Sequence, residues 1–78
     1  MNPFPADWHA NHCLDGGETG CGELILELHL AMRKLESGST LAVRALDEGA
    51  PVEIPAWCRL CQHRLVEARH PFYLINKV

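Results

Sequence analysis

The stretch CGELILELHLAMRKLESGSTLAVRAL, residues 21–46, decides the fold. Leu24, Leu28, Met32 and Leu35 recur at helical spacing, and Ile25 and Ala31 widen the stripe. That pattern predicts a helix over residues 23–37 with one face to bury. Glu23 and Glu27 lie toward its start, while Arg33 and Lys34 lie toward its end. This charge order suits the helix dipole. Gly38 supplies the stop. Beyond it the pattern changes to alternation. Leu41, Val43 and Ala45 share one face and Arg44 takes the other, so residues 41–46 read as a strand.

Upstream, residues 15–20 contain Gly16, Gly17 and Gly20 and read as a flexible turn. A short strand is expected over residues 12–15. Residues 1–7 carry two prolines and read as a flexible lead-in. Downstream, residues 47–51 have turn chemistry. Pro55 suits the first turn of a second helix, where a missing N–H costs nothing. The apolar stripe of that helix is Ile54, Trp57, Leu60 or Cys61, and Leu65. Residues 65–69 and 72–78 read as two short strands joined through His70-Pro71. The order is β-α-β-α-β-β in a single domain spanning residues 1–78. Such alternation predicts an α+β two-layer sandwich, with both helices on one face of a four-stranded mixed sheet.

Composition limits function. A chain of 78 residues has a thin core and must pack efficiently or recruit staples. The net charge is −3 and there is no run of Lys or Arg. Direct nucleic-acid binding needs concentrated positive charge, so it is not expected. The apolar stretch 24–32 is interrupted by Glu27 and His29 and is too short to span a bilayer. Residues 1–7 show neither a basic region nor an apolar one of the export type. The expectation is a cytoplasmic protein whose four cysteines are reduced thiols.

Cys21 is the main candidate for chemistry. It stands at or just before the first turn of the long helix, after a Gly-rich turn. Backbone N–H groups there lack helical partners and, with the dipole, favour thiolate over thiol. The bland alternative is a small buried hydrophobe. Cys58-x-x-Cys61 invites a zinc or redox reading, but it falls inside a helical pattern and no second Cys-x-x-Cys pairs with it. Packing thiols are the simpler account. His12 and Cys13 fall on opposite faces of a strand, which separates them as ligands. His29 lies mid-helix among leucines and reads as a packing residue. His63 suits a helix end. The glycines form neither G-x-G-x-x-G nor a Walker A loop. Trp8 and Trp57 read as core or interface anchors.

Several pieces occur together in one order. They are His12-Cys13-Leu14-Asp15, the glycine turn, Cys21, the long helix, and Leu35-x-x-Gly38-x-x-Leu41-x-Val43. Asp47, Glu53-Ile54-Pro55-Ala56-Trp57-Cys58, His63 with Leu65, and Tyr73-Leu74-Ile75-x-Lys77 follow. In these the chain resembles the TusA/SirA-like family of small sulfur-carrier proteins over residues 12–77. The resemblance implies the same sandwich and a cysteine at Cys21 that carries persulfide sulfur between proteins. It implies packing for Cys58. On this reading Cys21 takes sulfur from a donor protein, a cysteine desulfurase or a rhodanese, and passes it to an acceptor protein. Gly20 and Gly22 leave the sulfur open, and Glu23 flanks it. No metal and no cofactor is required. The family signature Cys-Pro-x-Pro is here Cys21-Gly22-Glu23-Leu24, so both prolines are missing. Two alternatives stand beside the carrier: a metal or redox module built on Cys58 and Cys61 with Cys21 or Cys13, and a regulatory domain without thiol chemistry.

Overall fold

The computed structural model describes residues 4–78, apart from the side chain of Cys21. Its elements are β1 (His12–Gly17), α1 (Cys21–Arg33), β2 (Thr40–Ala45), α2 (Ala50–Leu60), β3 (Arg64–Arg69) and β4 (Phe72–Asn76). The strands form one mixed sheet in the order β1-β2-β4-β3. β1 is parallel to β2, and β4 is antiparallel to both of its neighbours. This is the α+β sandwich that the alternating pattern predicts. No described helix is long and apolar enough to cross a membrane.

The two central strands explain the core. Leu41 is opposite Ile75 and Val43 is opposite Tyr73, so these four side chains share one face. They belong to a single buried cluster with Leu24, Leu28 and Met32 of α1 and Ile54, Trp57 and Cys58 of α2. Both helices therefore cover the same side of the sheet. Leu24, Leu28 and Met32 are the stripe read from the sequence, and Ile25, Ala31 and Leu35 pack at its margin. Each fully buried Leu contributes about 1.5–3 kcal/mol relative to exposure. No polar or charged residue is buried among the described residues.

Element ends differ from expectation for local reasons. α1 ends at Arg33 rather than at residue 37, because the N–H groups of Lys34 and Leu35 turn onto Ala31 and Met32. α2 begins at Ala50, ahead of the expected start at Pro55. The Asp47 carboxylate accepts from Gly49 N–H at 2.9 Å, and Glu53 N–H reaches Gly49 O at 2.9 Å. Pro51 thus occupies the first turn, and Pro55 lies inside the helix, where it has no N–H to offer. Of the two stripe candidates near the end of α2, Leu60 is 83% exposed. Cys61 takes the inward place instead. The helix stops because Gln62 is left-handed at φ 61. His63 N–H then bonds Cys58 O at 2.9 Å, the closure in which glycine is usual at the residue before.

The other face of the sheet has its own cover. Cys13, Ala42, Leu74 and Glu67 lie in register across it. Of the lead-in expected over residues 1–7, residues 1–3 lie outside the described residues. From Phe4 onward the chain lies on this face as a strap. The Phe4 and Phe72 rings are 5.6 Å apart. Asp7 accepts two hydrogen bonds from Arg69, at 2.9 and 3.1 Å. The Trp8 indole N–H donates to Glu67, and the Arg69 guanidinium stands 5.8 Å from the Trp8 ring. Asn11 N–H bonds Thr40 O at 3.1 Å, and Thr40 N–H bonds the Asn11 side chain at 2.8 Å.

One close approach joins the two layers. A Cβ on Gly16 would stand 2.5 Å from Leu24 Cδ1 and 3.2 Å from Arg44 O. Leu24 is fully buried and has little room to yield. Gly16→Ala is therefore expected to destabilise the fold by about 1–3 kcal/mol, read as a lower urea midpoint at unchanged slope. An unchanged midpoint would show that the contact between β1 and α1 is not tight.

Candidate functional site

β1 delivers the chain to the start of α1 through an anchored turn. Asp15 accepts from Gly17 N–H at 3.0 Å and pairs with Arg44 at 2.9 Å. The Arg44 hydrogen bond holds the Asp15 carboxyl below the usual carboxylate range. Thr19 N–H bonds Gly16 O at 3.0 Å, and Leu46 N–H bonds Gly17 O at 2.9 Å. Gly20 then takes an extended conformation, φ −65 and ψ 154, as the N-cap. Cys21 is the first residue of α1.

The first helical hydrogen bond runs from Leu24 N–H to Gly20 O at 2.9 Å. The N–H groups of Cys21, Gly22 and Glu23 precede it and have no acceptor one turn back. Gly20 brings no side chain to cap them. This is the positive end of a 13-residue helix. Glu23, exposed in the first turn, partly balances that charge. Nothing lies within 4 Å of the place where a Cβ would stand on Gly20 or Gly22. The backbone on both sides of Cys21 is therefore open. The Cys21 thiol itself lies outside the described side chains.

The other cysteines are dispersed. Cys13 is exposed on the strap face of the sheet. Cys58 is 2% exposed in the core, and burial, followed by the neighbouring Cys61, pushes its thiol up to about 11. A thiol so disfavoured as thiolate is poor as a nucleophile or metal ligand, which supports the packing reading of Cys58. Cys61 lines a cavity with His29, Met32, Arg33, His63 and Lys77. At about 1.5 Å of rise per residue, Arg33 stands roughly 18 Å along α1 from Cys21. Cys61 and Cys21 therefore belong to opposite ends of the helix. Among the described residues, no group of three or more His, Cys, Asp or Glu could hold a metal ion. His12 and Cys13 do separate, pairing with Leu41 and Ala42 respectively.

His63 does more than end a helix. Its ring stacks at 5.4 Å from Trp57, and its Nδ1 is enclosed without a hydrogen-bond partner among the described residues. Burial, with Lys77 and His29 nearby, pulls its imidazole below the usual 6.5. The neutral ring is the one the fold prefers. Its contribution to stability is complete above 6.5 and is lost as pH falls through the depressed folded value. The gathering of His29, Cys61, His63 and Lys77 was not readable from the sequence. It depends on the end of α2 and the residue after β4 meeting the last turn of α1. A signal was present only in part: His29 and Arg33 are one helical turn apart.

The family model described as Sulfurtransferase TusA matches residues 14–74. That span runs from Leu14 in β1 to Leu74 in β4 and contains Cys21. The strap residues before β1 fall outside it. Leu24 occupies the place of the second signature proline. It is fully buried, and its N–H is already used on Gly20 O. A core side chain thus fixes the start of α1 where a proline ring is absent.

Two outcomes test this geometry. Gly22→Ala should raise stability by about 0.5–1 kcal/mol, because the site is open and helical; a lower denaturation midpoint would mean that the first turn is not helical in solution. In alkylation at pH about 8, Cys13 should react while Cys58 lags by roughly a thousandfold or more, given its enclosure and raised thiol value. Peptide mass spectrometry reads the order, and equal rates in the folded protein would contradict the burial of Cys58.

Proposed function

Because the chain belongs to the TusA sulfurtransferase family, we propose that it relays persulfide sulfur on Cys21 from a donor protein to an acceptor protein. A sulfur-carrier role in general is what the family implies. The single observation that carries the finer reading is the place of Cys21 within the matched span, as first residue of α1 at an end with no side-chain cap.

The chemistry is exchange at sulfur. The Cys21 thiolate attacks the outer sulfur of a donor persulfide. A bond forms between Cys21 sulfur and that atom, and the donor's own S–S bond breaks. The donor leaves as a thiolate, and Cys21 becomes a persulfide. Delivery to the acceptor repeats the exchange in the other direction. Sulfur oxidation states balance, so neither an external oxidant nor a nucleotide enters. The N–H groups at the start of α1, which lack intrahelical acceptors, favour the anionic forms of both thiol and persulfide. The open space at Gly20 and Gly22 supports access by two different proteins in turn. A cysteine desulfurase or a rhodanese is the donor class with the required persulfide, and the cytoplasm is the compartment in which such thiols stay reduced.

Incubation with a cysteine desulfurase and cysteine tests this, read by intact mass. The expected result is a gain of one sulfur that dithiothreitol reverses. The gain should vanish in Cys21→Ser and persist in Cys58→Ala. A gain of equal size in Cys21→Ser would remove Cys21 from the role.

A further inference from the structure

The end of α1 remote from Cys21 holds a second concentration of charge. His29 and Arg33 of α1, Cys61 closing α2, His63 before β3 and Lys77 after β4 line, with Met32, a cavity of about 200 Å³. No carboxylate lines it, in a chain whose net charge is −3. Arg44 and Arg69 are ion-paired elsewhere. Among the described residues, no carboxylate stands within ion-pair distance of Arg33 or Lys77. The Lys77 ammonium donates to Leu35 O, which ties it to the loop after α1 and leaves further N–H donors on the same nitrogen.

His63 adds direction. Its Nδ1 is enclosed and has no partner among the described residues. An enclosed N–H without an acceptor is costlier than an enclosed lone pair, so the neutral ring carries its proton on Nε2. Arg33 and Lys77 are the fixed cations that the surrounding elements bring to this lining. The cations carry no balancing anion.

We propose that this cavity is a binding site for a small tetrahedral oxyanion of the sulfate or phosphate type. Arg33 offers a planar fork of donors and Lys77 a point charge, the two groups that hold such anions best. The cavity is smaller than the roughly 300–1,000 Å³ usual for organic ligands, which suits a single inorganic anion. The site is separate from Cys21 and does not depend on the carrier reading.

The test titrates the full chain with sulfate, thiosulfate and phosphate in separate arms, at constant ionic strength set by chloride. Histidine ring signals are followed by NMR. The expected result is saturable movement of the His63 and His29 signals with at least one of these anions, and none with chloride. The arm that saturates first names the anion. Arg33→Gln is exposed on α1, and its melting is checked first. It should weaken binding by about tenfold or more, while Cys21→Ser should bind as the unaltered chain does. Binding should tighten as pH falls and His63 becomes charged beside Arg33 and Lys77. Linear, unsaturable shifts shared with chloride would overturn the proposal. So would unchanged affinity in Arg33→Gln. Tighter occupation by a single-stranded oligonucleotide than by the free anions would replace it with a polymer-backbone surface.

Discussion

The contact of Leu24 with Gly16 is the constraint on which the arrangement of this molecule turns. It lets the Leu24 side chain in the first turn of α1 settle directly onto the backbone of β1. From that seat the apolar stripe runs through Leu28 and Met32 over the two central strands. The same seat fixes where the helix begins, and hence which residue stands at its positive end. A proline ring would set the backbone angle at such a start through covalent geometry. Here noncovalent packing does the work, and the N–H of Leu24 remains available to close the first turn on Gly20.

Much of the fold was legible because burial here follows simple periods. The stripe of α1 and the alternation of β2 each have one solution, and both appear in the core. The second helix was harder to place. Two prolines, Pro51 and Pro55, could each mark a first turn, and the Asp47 carboxylate that decides between them does so through its bond to Gly49 N–H two residues on. Leu60 and Cys61 also competed for one inward place. The stripe alone could not separate them, since the helix ends between them. The backbone position of Cys21 was readable from its neighbours. The cavity at the other end of α1 was not, because its residues come from three separate parts of the chain.

The thiols illustrate how one residue type takes different roles in a small domain. Cys58 serves the core, where burial suppresses its ionisation. Cys13 lies on the exposed side of β1. Cys21 opens a helix end that has no side-chain cap. Spacing along the chain, as in Cys58-x-x-Cys61, says less about these roles than the surroundings of each sulfur. The helix α1 spans the distance between two dissimilar surroundings, with a Gly-rich opening at one end and gathered cations at the other.

The strap formed by the residues before β1 ties the early part of the chain to the hairpin of β3 and β4. Asp7 and Arg69 are 62 residues apart in sequence, yet they share a bidentate contact. Loop-closure cost grows only slowly with length, and the sheet has already drawn these segments together. The hairpin of β3 and β4 is thus covered by residues from the opposite end of the polypeptide. Loosening of the strap therefore uncovers the outer face of this hairpin, while the residues after β4 stay tied to the loop after α1 through Leu35, Gly38 and Ser39.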